Sequence, residues 1–121
     1  VKAQSDAPLL SVVVPAYNEA QRLPDSLRQI TEYLDQQPYR SEVIVADDGS
    51  TDATASLVEQ LSARRPSLRL LRLDHRGKGF AVRAGALAAH GEYVLLCDAD
   101  LAVPIEEWER LRGVLEDGFD V

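Results

Sequence analysis

An α/β architecture, with a mostly parallel sheet covered by helices on both faces, is what this chain predicts. Three observations lead there. Four apolar runs rich in β-branched residues recur along the chain at a spacing of roughly 25–32 residues, close to one strand-helix-strand unit. Each gap between them carries a helical pattern. The runs are continuously apolar and do not alternate, as expected of parallel strands buried on both faces.

The first strand spans residues 9–15, where Leu9, Leu10 and Val12 to Val14 lead into Pro15. A helix over 24–36 follows. Pro24 suits its first turn, and Leu27, Ile30 and Leu34 line one face. The second strand covers 42–46. The next helix, 52–64, carries Leu57, Val58 and Leu61, with Ser50 or Thr51 as the expected cap and Asp52 complementing the dipole. The third strand is 68–73. Its helix, 78–89, is alanine-rich and places Phe80, Ala84, Leu87 and Ala88 at helical spacing. The fourth strand is 93–97, and a fourth helix, 104–116, carries Ile105, Trp108, Leu111 and Leu115. Phe119-Asp120-Val121 reads as the start of a fifth strand. Right-handed crossovers make the whole Rossmann-like. Residues 1–8 read as an N-terminal tail and 9–121 as one unit.

Composition narrows the function classes. With 121 residues, 45% hydrophobic and 27% charged, the chain can bury a core of its own. A net charge of −7 argues against nucleic acid as a partner. No apolar run is long enough for a membrane helix. The single cysteine, Cys97, excludes an internal disulfide and points to a reducing compartment. The chain shows no signal-peptide pattern and contains no methionine, so it reads as a piece of a longer protein.

The chemistry collects where strands end. In open parallel sheets, ligands bind beyond the carboxyl ends of the strands. Glu19, Asp47, Asp48, Asp98 and Asp100 all follow strand ends, and so many carboxylates on one rim require a cation or hydrogen-bond donors. Asp98-Ala99-Asp100 can engage a hard divalent ion such as Mg2+, which takes one or two carboxylates and leaves other positions to phosphate oxygens. A turn with capping aspartates explains the same three residues equally well. Asp47-Asp48-Gly49-Ser50-Thr51-Asp52 reads as a tight turn before a helix. An aspartate there can also accept a hydrogen bond from a nucleobase N–H or a ribose hydroxyl. Pro15 stiffens the first loop, Tyr17 offers a flat face to a base, and Glu19 can bond a sugar hydroxyl. Arg76-Gly77-Lys78-Gly79, with Arg83, is a basic island at a helix start. Its N–H groups and Lys78 suit a diphosphate. It is no Walker A loop, because Phe80 follows Gly79. His75 is the one histidine placed near this chemistry, while Cys97 and Trp108 read as core.

Taken in order, Ser11-Val12-Val13-Val14-Pro15-Ala16-Tyr17-Asn18-Glu19, Asp47 to Asp52 and Asp98-Ala99-Asp100 resemble the family 2 glycosyltransferases of GT-A fold. The stretch from Arg76 to Gly85, and Asp98 to Leu101 followed by Pro104 to Glu107, look most like the dolichyl-phosphate glucosyltransferase branch. The resemblance implies a UDP-sugar donor, with UDP-glucose as the branch's sugar, and Mg2+ or Mn2+ as cofactor. It implies a polyprenyl or dolichyl phosphate acceptor and transfer with inversion at the cytoplasmic face of a membrane. Pro15, Tyr17 and Glu19 would contact the nucleoside. One of Asp47 or Asp48 would meet the uracil, Asp98 the ribose or metal, and Asp100 the metal; no catalytic base is identified. A nucleotide-binding module without turnover and a phosphotransferase using the two aspartates are the competing readings. Family members continue past this span, so self-association through uncovered apolar surface is a further expectation.

Overall fold

The computed structural model describes residues 7–100. Strand β1 (Leu10–Ala16) leads to helix α1 (Leu23–Asp35), β2 (Ser41–Asp47), α2 (Thr54–Ser62), β3 (Leu68–Arg72), α3 (Lys78–Ala88) and β4 (Tyr93–Leu96). The expected fourth helix, with Ile105 and Trp108, and the strand start at Phe119 lie outside the described residues. All pairings are parallel and the sheet order is β3-β2-β1-β4. The expected α/β fold is therefore observed, with each of the four strands within about two residues of its predicted span.

The order dictates where a site can form. From β1 the chain steps outward to β2 and β3, and α1 and α2 pack on one face. It then returns past β2 and β1 to reach β4, and α3 crosses the other face. On the first face, Leu10, Val12 and Val14 of β1 join Leu23, Leu27, Ile30, Leu34 and Val58 in one buried cluster. On the second, Val13 of β1 meets Gly85 of α3. A Cβ at Gly85 would lie 2.4 Å from Val13 Cγ1, so only glycine allows this close approach. The direction of winding reverses between β1 and β4, and their carboxyl ends part there.

Two local expectations need correction. The buried stripe of α3 is Ala81 and Gly85, whereas Phe80 and Leu87 are exposed. Small residues face the sheet here because closeness of backbones, and not side-chain hydrophobicity, sets the packing. In α2 the cap is not Ser50 or Thr51. The helix begins after Ala53, and Asp52 Oδ1 accepts the Thr54 N–H at 2.9 Å from one residue further back. Val94 and Leu96 of the edge strand β4 are about half exposed, on the face that α3 covers over β1 and β2.

A polar network closes the opposite, amino end of the sheet. Glu42, at the start of β2, accepts bonds from Ser11 Oγ (2.6 Å) and the His90 N–H (2.7 Å). It also pairs with Arg69 of β3, whose Nη2 lies 3.0 Å from Glu42 Oε1 and 2.6 Å from the Ala88 carbonyl at the end of α3. Gly91 N–H completes the set by donating to Ser11 Oγ. Burial pushes the Glu42 carboxyl up, but Ser11, the His90 amide and Arg69 outweigh it and hold it below its ordinary value. Such a group contributes its full stability above the ordinary carboxylate range and loses it as pH falls through the lowered value. Glu42→Ala should cost about 2–3 kcal/mol in urea unfolding at neutral pH, because it strands the buried Ser11 hydroxyl and two part-buried donors, Arg69 and the His90 N–H. Below about pH 4 the wild type should lose stability more steeply than Glu42→Gln, measured by the same unfolding curves.

Candidate functional site

An open cleft of about 410 Å³ lies at the parting of β1 and β4. Its walls carry Pro15 near the end of β1, Tyr17 and Glu19 after it, Asp48 after β2, His75, Gly77 and Lys78 after β3, and Asp98 and Asp100 after β4. The sheet thus brings together residues up to 85 positions apart, in the way that strand-end chemistry requires. Of the expected site residues, Asp47 stays off the cleft wall, as do Arg76, Gly79 and Arg83 of the basic island.

The loops after β1 and β2 are knitted to one another. Asn18 takes a left-handed conformation (φ 52°), which asparagine tolerates better than most residues. Its Oδ1 accepts the Thr51 N–H at 2.8 Å and the Asp52 N–H at 3.3 Å. In return the Asn18 N–H donates to Ser50 Oγ at 2.8 Å. Ser50 is itself held by Asp47, whose Oδ1 and Oδ2 accept its hydroxyl (2.5 Å) and amide (3.1 Å). The buried Thr54 accepts the Glu19 N–H at 2.9 Å, and Asp52 accepts the Ala20 N–H. Most of the Asp47–Asp52 motif therefore positions the loop bearing Tyr17 and Glu19.

Asp48 organises the other wall. Its Oδ1 accepts the Arg76 and Gly77 N–H groups at 2.8 and 3.2 Å. Its Oδ2 accepts the Gly77 N–H at 3.0 Å and faces His75 Nδ1 at 2.9 Å. Burial pushes the Asp48 carboxyl up, yet these amides and His75 prevail and hold it below its ordinary value. Gly49 permits the approach of the two loops. At φ 74° it favours glycine, and a Cβ would lie 2.8 Å from the His75 backbone nitrogen. The His75 ring stacks on Tyr17, with centroids 4.2 Å apart and planes inclined by 18°.

The third wall is the Asp98-Ala99-Asp100 turn. Ala99 is buried, and its carbonyl accepts a bond from Ser26 Oγ of α1. The two carboxylates on either side of Ala99 line the cleft. Lys78 Nζ, at the start of α3, lies 2.6 Å from Asp98 Oδ1, and this hydrogen bond and charge hold the ammonium above its ordinary pKa. Arg22 reaches from α1's entry loop. It forks onto Glu19 Oε1 at 2.9 and 2.6 Å and approaches Asp100 at 4.0 Å. The crowd of carboxylates is thus balanced by one lysine, one arginine and backbone amides. Cys97 is buried just before the turn, where burial pushes its thiol up to about 11; it is no nucleophile at neutral pH.

Sequence reasoning missed Arg22 and Ser26, and quoted Asn18 within its motif without giving it a role. Arg22 carried a readable signal, three residues after Glu19 at a helix start. Among the described residues, no group of three or more His, Cys, Asp or Glu could cage a metal ion. Asp98 and Asp100 both line the cleft, and carboxylate oxygens are the donor type that a hard divalent ion accepts.

The profile of glycosyl transferase family 2 matches residues 11–121. The chain belongs to that family. It is 41% identical over 114 residues to a dolichyl-phosphate beta-glucosyltransferase of Dictyostelium discoideum, covering 88% of this chain and 35% of that protein. It is 40% identical over 116 residues to the Homo sapiens dolichyl-phosphate beta-glucosyltransferase, with 89% and 36% covered. An undecaprenyl-phosphate 4-deoxy-4-formamido-L-arabinose transferase of Pseudomonas savastanoi is 36% identical over 114 residues, with 93% and 34% covered. The chain spans about a third of the length of these relatives. Among solved structures it resembles the mannosyltransferase PcManGT of Pyrobaculum calidifontis, solved with GDP-Man and Mn2+, at 37% identity and a TM-score of 0.67 over 78% of this chain and 28% of that one. TarS of S. aureus, in complex with UDP-GlcNAc, gives a TM-score of 0.69 at 27% identity over 89% and 31%. The four parallel strands and three helices are those of the GT-A fold, as the sequence predicts.

Replacing Asp48 tests its part in the wall. In Asp48→Asn the new amide would set a donor against the Gly77 N–H or His75. Hydrogen exchange at the Arg76 and Gly77 amides should then quicken by roughly tenfold or more, with the strands still protected. Unchanged exchange at both amides would remove Asp48 as the organiser.

Proposed function

We propose that the chain is the donor-binding part of an inverting glycosyltransferase that moves a sugar, glucose in this reading, from a UDP-sugar to a polyprenyl or dolichyl phosphate. One observation carries it. The two Asp-x-Asp carboxylates and Lys78 of the basic glycine-rich loop meet at one cleft, whose other walls carry Tyr17, Glu19 and Asp48. That is the charge pattern of a nucleoside diphosphate with a bridging cation. The names of the relatives supply the polyprenyl phosphate class, and the GDP-Man, Mn2+ and UDP-GlcNAc of the solved structures supply the donor and ion.

In this reading Pro15, Tyr17 and Glu19 contact the nucleoside. Asp48 is favoured over Asp47 as the base's partner, because Asp48 lines the cleft while Asp47 is committed to Ser50. Asp100 and Asp98 would hold Mg2+ or Mn2+, whose charge offsets that of the departing diphosphate. Lys78 exchanges its Asp98 partner for a phosphate oxygen, and the N–H groups at the start of α3 add donors. Gly77 and Gly79 leave open space on that side, so a phosphate can approach the backbone. The acceptor is itself a phosphate, ionised at neutral pH, so strong general-base help is not required of the protein. In this reading the reaction belongs at the cytoplasmic face of a membrane, where a UDP-sugar and a lipid phosphate meet, although no helix of the described residues is long and apolar enough to cross one.

Thermal shift with UDP and Mn2+ checks this directly. UDP should stabilise the chain more with Mn2+ than without, by linkage. Asp100→Asn should abolish most of that difference, and a metal effect preserved in it would sink the assignment. Lys78→Ala should weaken UDP about tenfold while leaving uridine almost unchanged, since its partner is the diphosphate. Equal losses for the two ligands would contradict the phosphate role.

A further inference from the structure

The contacts of His75 are those a nucleobase would make. Its ring lies flat on Tyr17, with centroids 4.2 Å apart. In the plane of the ring, Nδ1 faces two acceptors, Asp48 Oδ2 at 2.9 Å and the Asp48 carbonyl at 3.0 Å. Two acceptors on one nitrogen assign the proton to Nδ1, so the imidazole donates. A flat heteroaromatic ring stacked on tyrosine and giving a ring N–H to a buried carboxylate is how this wall would hold uracil.

We infer that the His75 imidazole is an internal occupant of the nucleobase subsite, and that a base enters by displacing it from Tyr17 and Asp48. This rests on the proposed nucleotide-sugar site. Position enforces the exchange. Asp48 accepts three N–H groups, those of Arg76, Gly77 and His75, with the Gly77 N–H shared between its two oxygens. The His75 ring already holds both Tyr17 and Asp48 Oδ2, so a base that takes the same two contacts must replace it. The two amides belong to the backbone and fix the loop. His75 is the donor that can leave, because its side chain is 58% exposed while that of Asp48 is only 5% exposed. A rotation of the His75 side chain takes the ring into water and leaves Asp48, still held by the amides, aimed at the cleft. Removing the competitor should then tighten base binding, the reverse of what losing an ordinary contact residue does.

Isothermal titration with uridine, UDP and inorganic pyrophosphate tests this on the 121-residue chain. His75→Ala should bind uridine and UDP roughly three- to tenfold more tightly than wild type, the range set by one aromatic pair. Pyrophosphate should be unaffected. A second measurement needs no variant. The chain has two histidines, so the His75 ring protons can be assigned in the NMR spectrum by elimination with His90→Gln. In the free protein they should lie upfield in the ring current of Tyr17, and saturating uridine should return them downfield. Weaker or unchanged uridine binding by His75→Ala, or His75 ring protons that stay upfield with uridine bound, would overturn the displacement while UDP binding by wild type keeps the nucleotide site. If neither protein binds uridine or UDP, the nucleotide site fails and the displacement with it.

Discussion

The Asp48 carboxylate is the point on which the rest of the cleft depends. It sits at the end of β2, nearly sealed from water, and four donor contacts from a loop about 28 residues away converge on it. A buried anion without such donors would be costly enough to protonate. With them it becomes an electrostatic hook that pulls the β3–α3 loop over the sheet edge. That loop brings His75 against Tyr17 and starts α3 where Lys78 reaches Asp98. The neighbouring Asp47 works in the same manner on a smaller scale, fixing Ser50 and through it Asn18. Two adjacent acids thus set the positions of two different walls.

The cleft neutralises itself. Glu19 is covered by Arg22 and Asp98 by Lys78. The exposed pairs contribute little to stability, so they can be exchanged at small cost for stronger partners. A diphosphate would offer Lys78 a new anion, and a divalent ion would take over the aspartate that Lys78 releases. The acidic net charge of the chain, −7, leaves such an anionic ligand dependent on these few local cations.

The layered fold was readable because parallel strands announce themselves as uninterrupted apolar runs, and Val12–Val14 or Val43–Ala46 admit no other reading. The convergence of acids at one edge followed from reading the strands as parallel, which puts all their carboxyl ends on one side. The face of α3 was not readable, because Gly85 serves by lacking a side chain against Val13, which no hydrophobic period reports. Nor was the cross-talk between Asn18 and the Ser50–Asp52 turn, since its partners are more than 30 positions apart and meet only after the sheet forms. Glu42 opens the expected second strand with no role read for it, yet it is the buried centre of a network whose other members, Ser11, Arg69 and His90, come from three separate segments. Local propensity reads what neighbours in the chain decide, and these features are decided by neighbours in space.

Helix α3 is tethered at both ends by charged groups of the sheet. At its start, Asp48 of the β2 end binds the Gly77 amide; at its finish, Arg69 of β3 binds the Ala88 carbonyl and is steadied by Glu42. Its 11 residues make a strut of roughly 16 Å, laid across the sheet with Gly85 as the fulcrum against Val13. Gly85 lies nearer the Arg69 end, with seven residues of the helix before it and three after it, so a strut pivoted there turns a small displacement at its finish into a larger, opposite one at its start. Loosening the Glu42–Arg69 clasp, far from any carboxylate of the cleft, would therefore be felt as a change in the reach of Lys78.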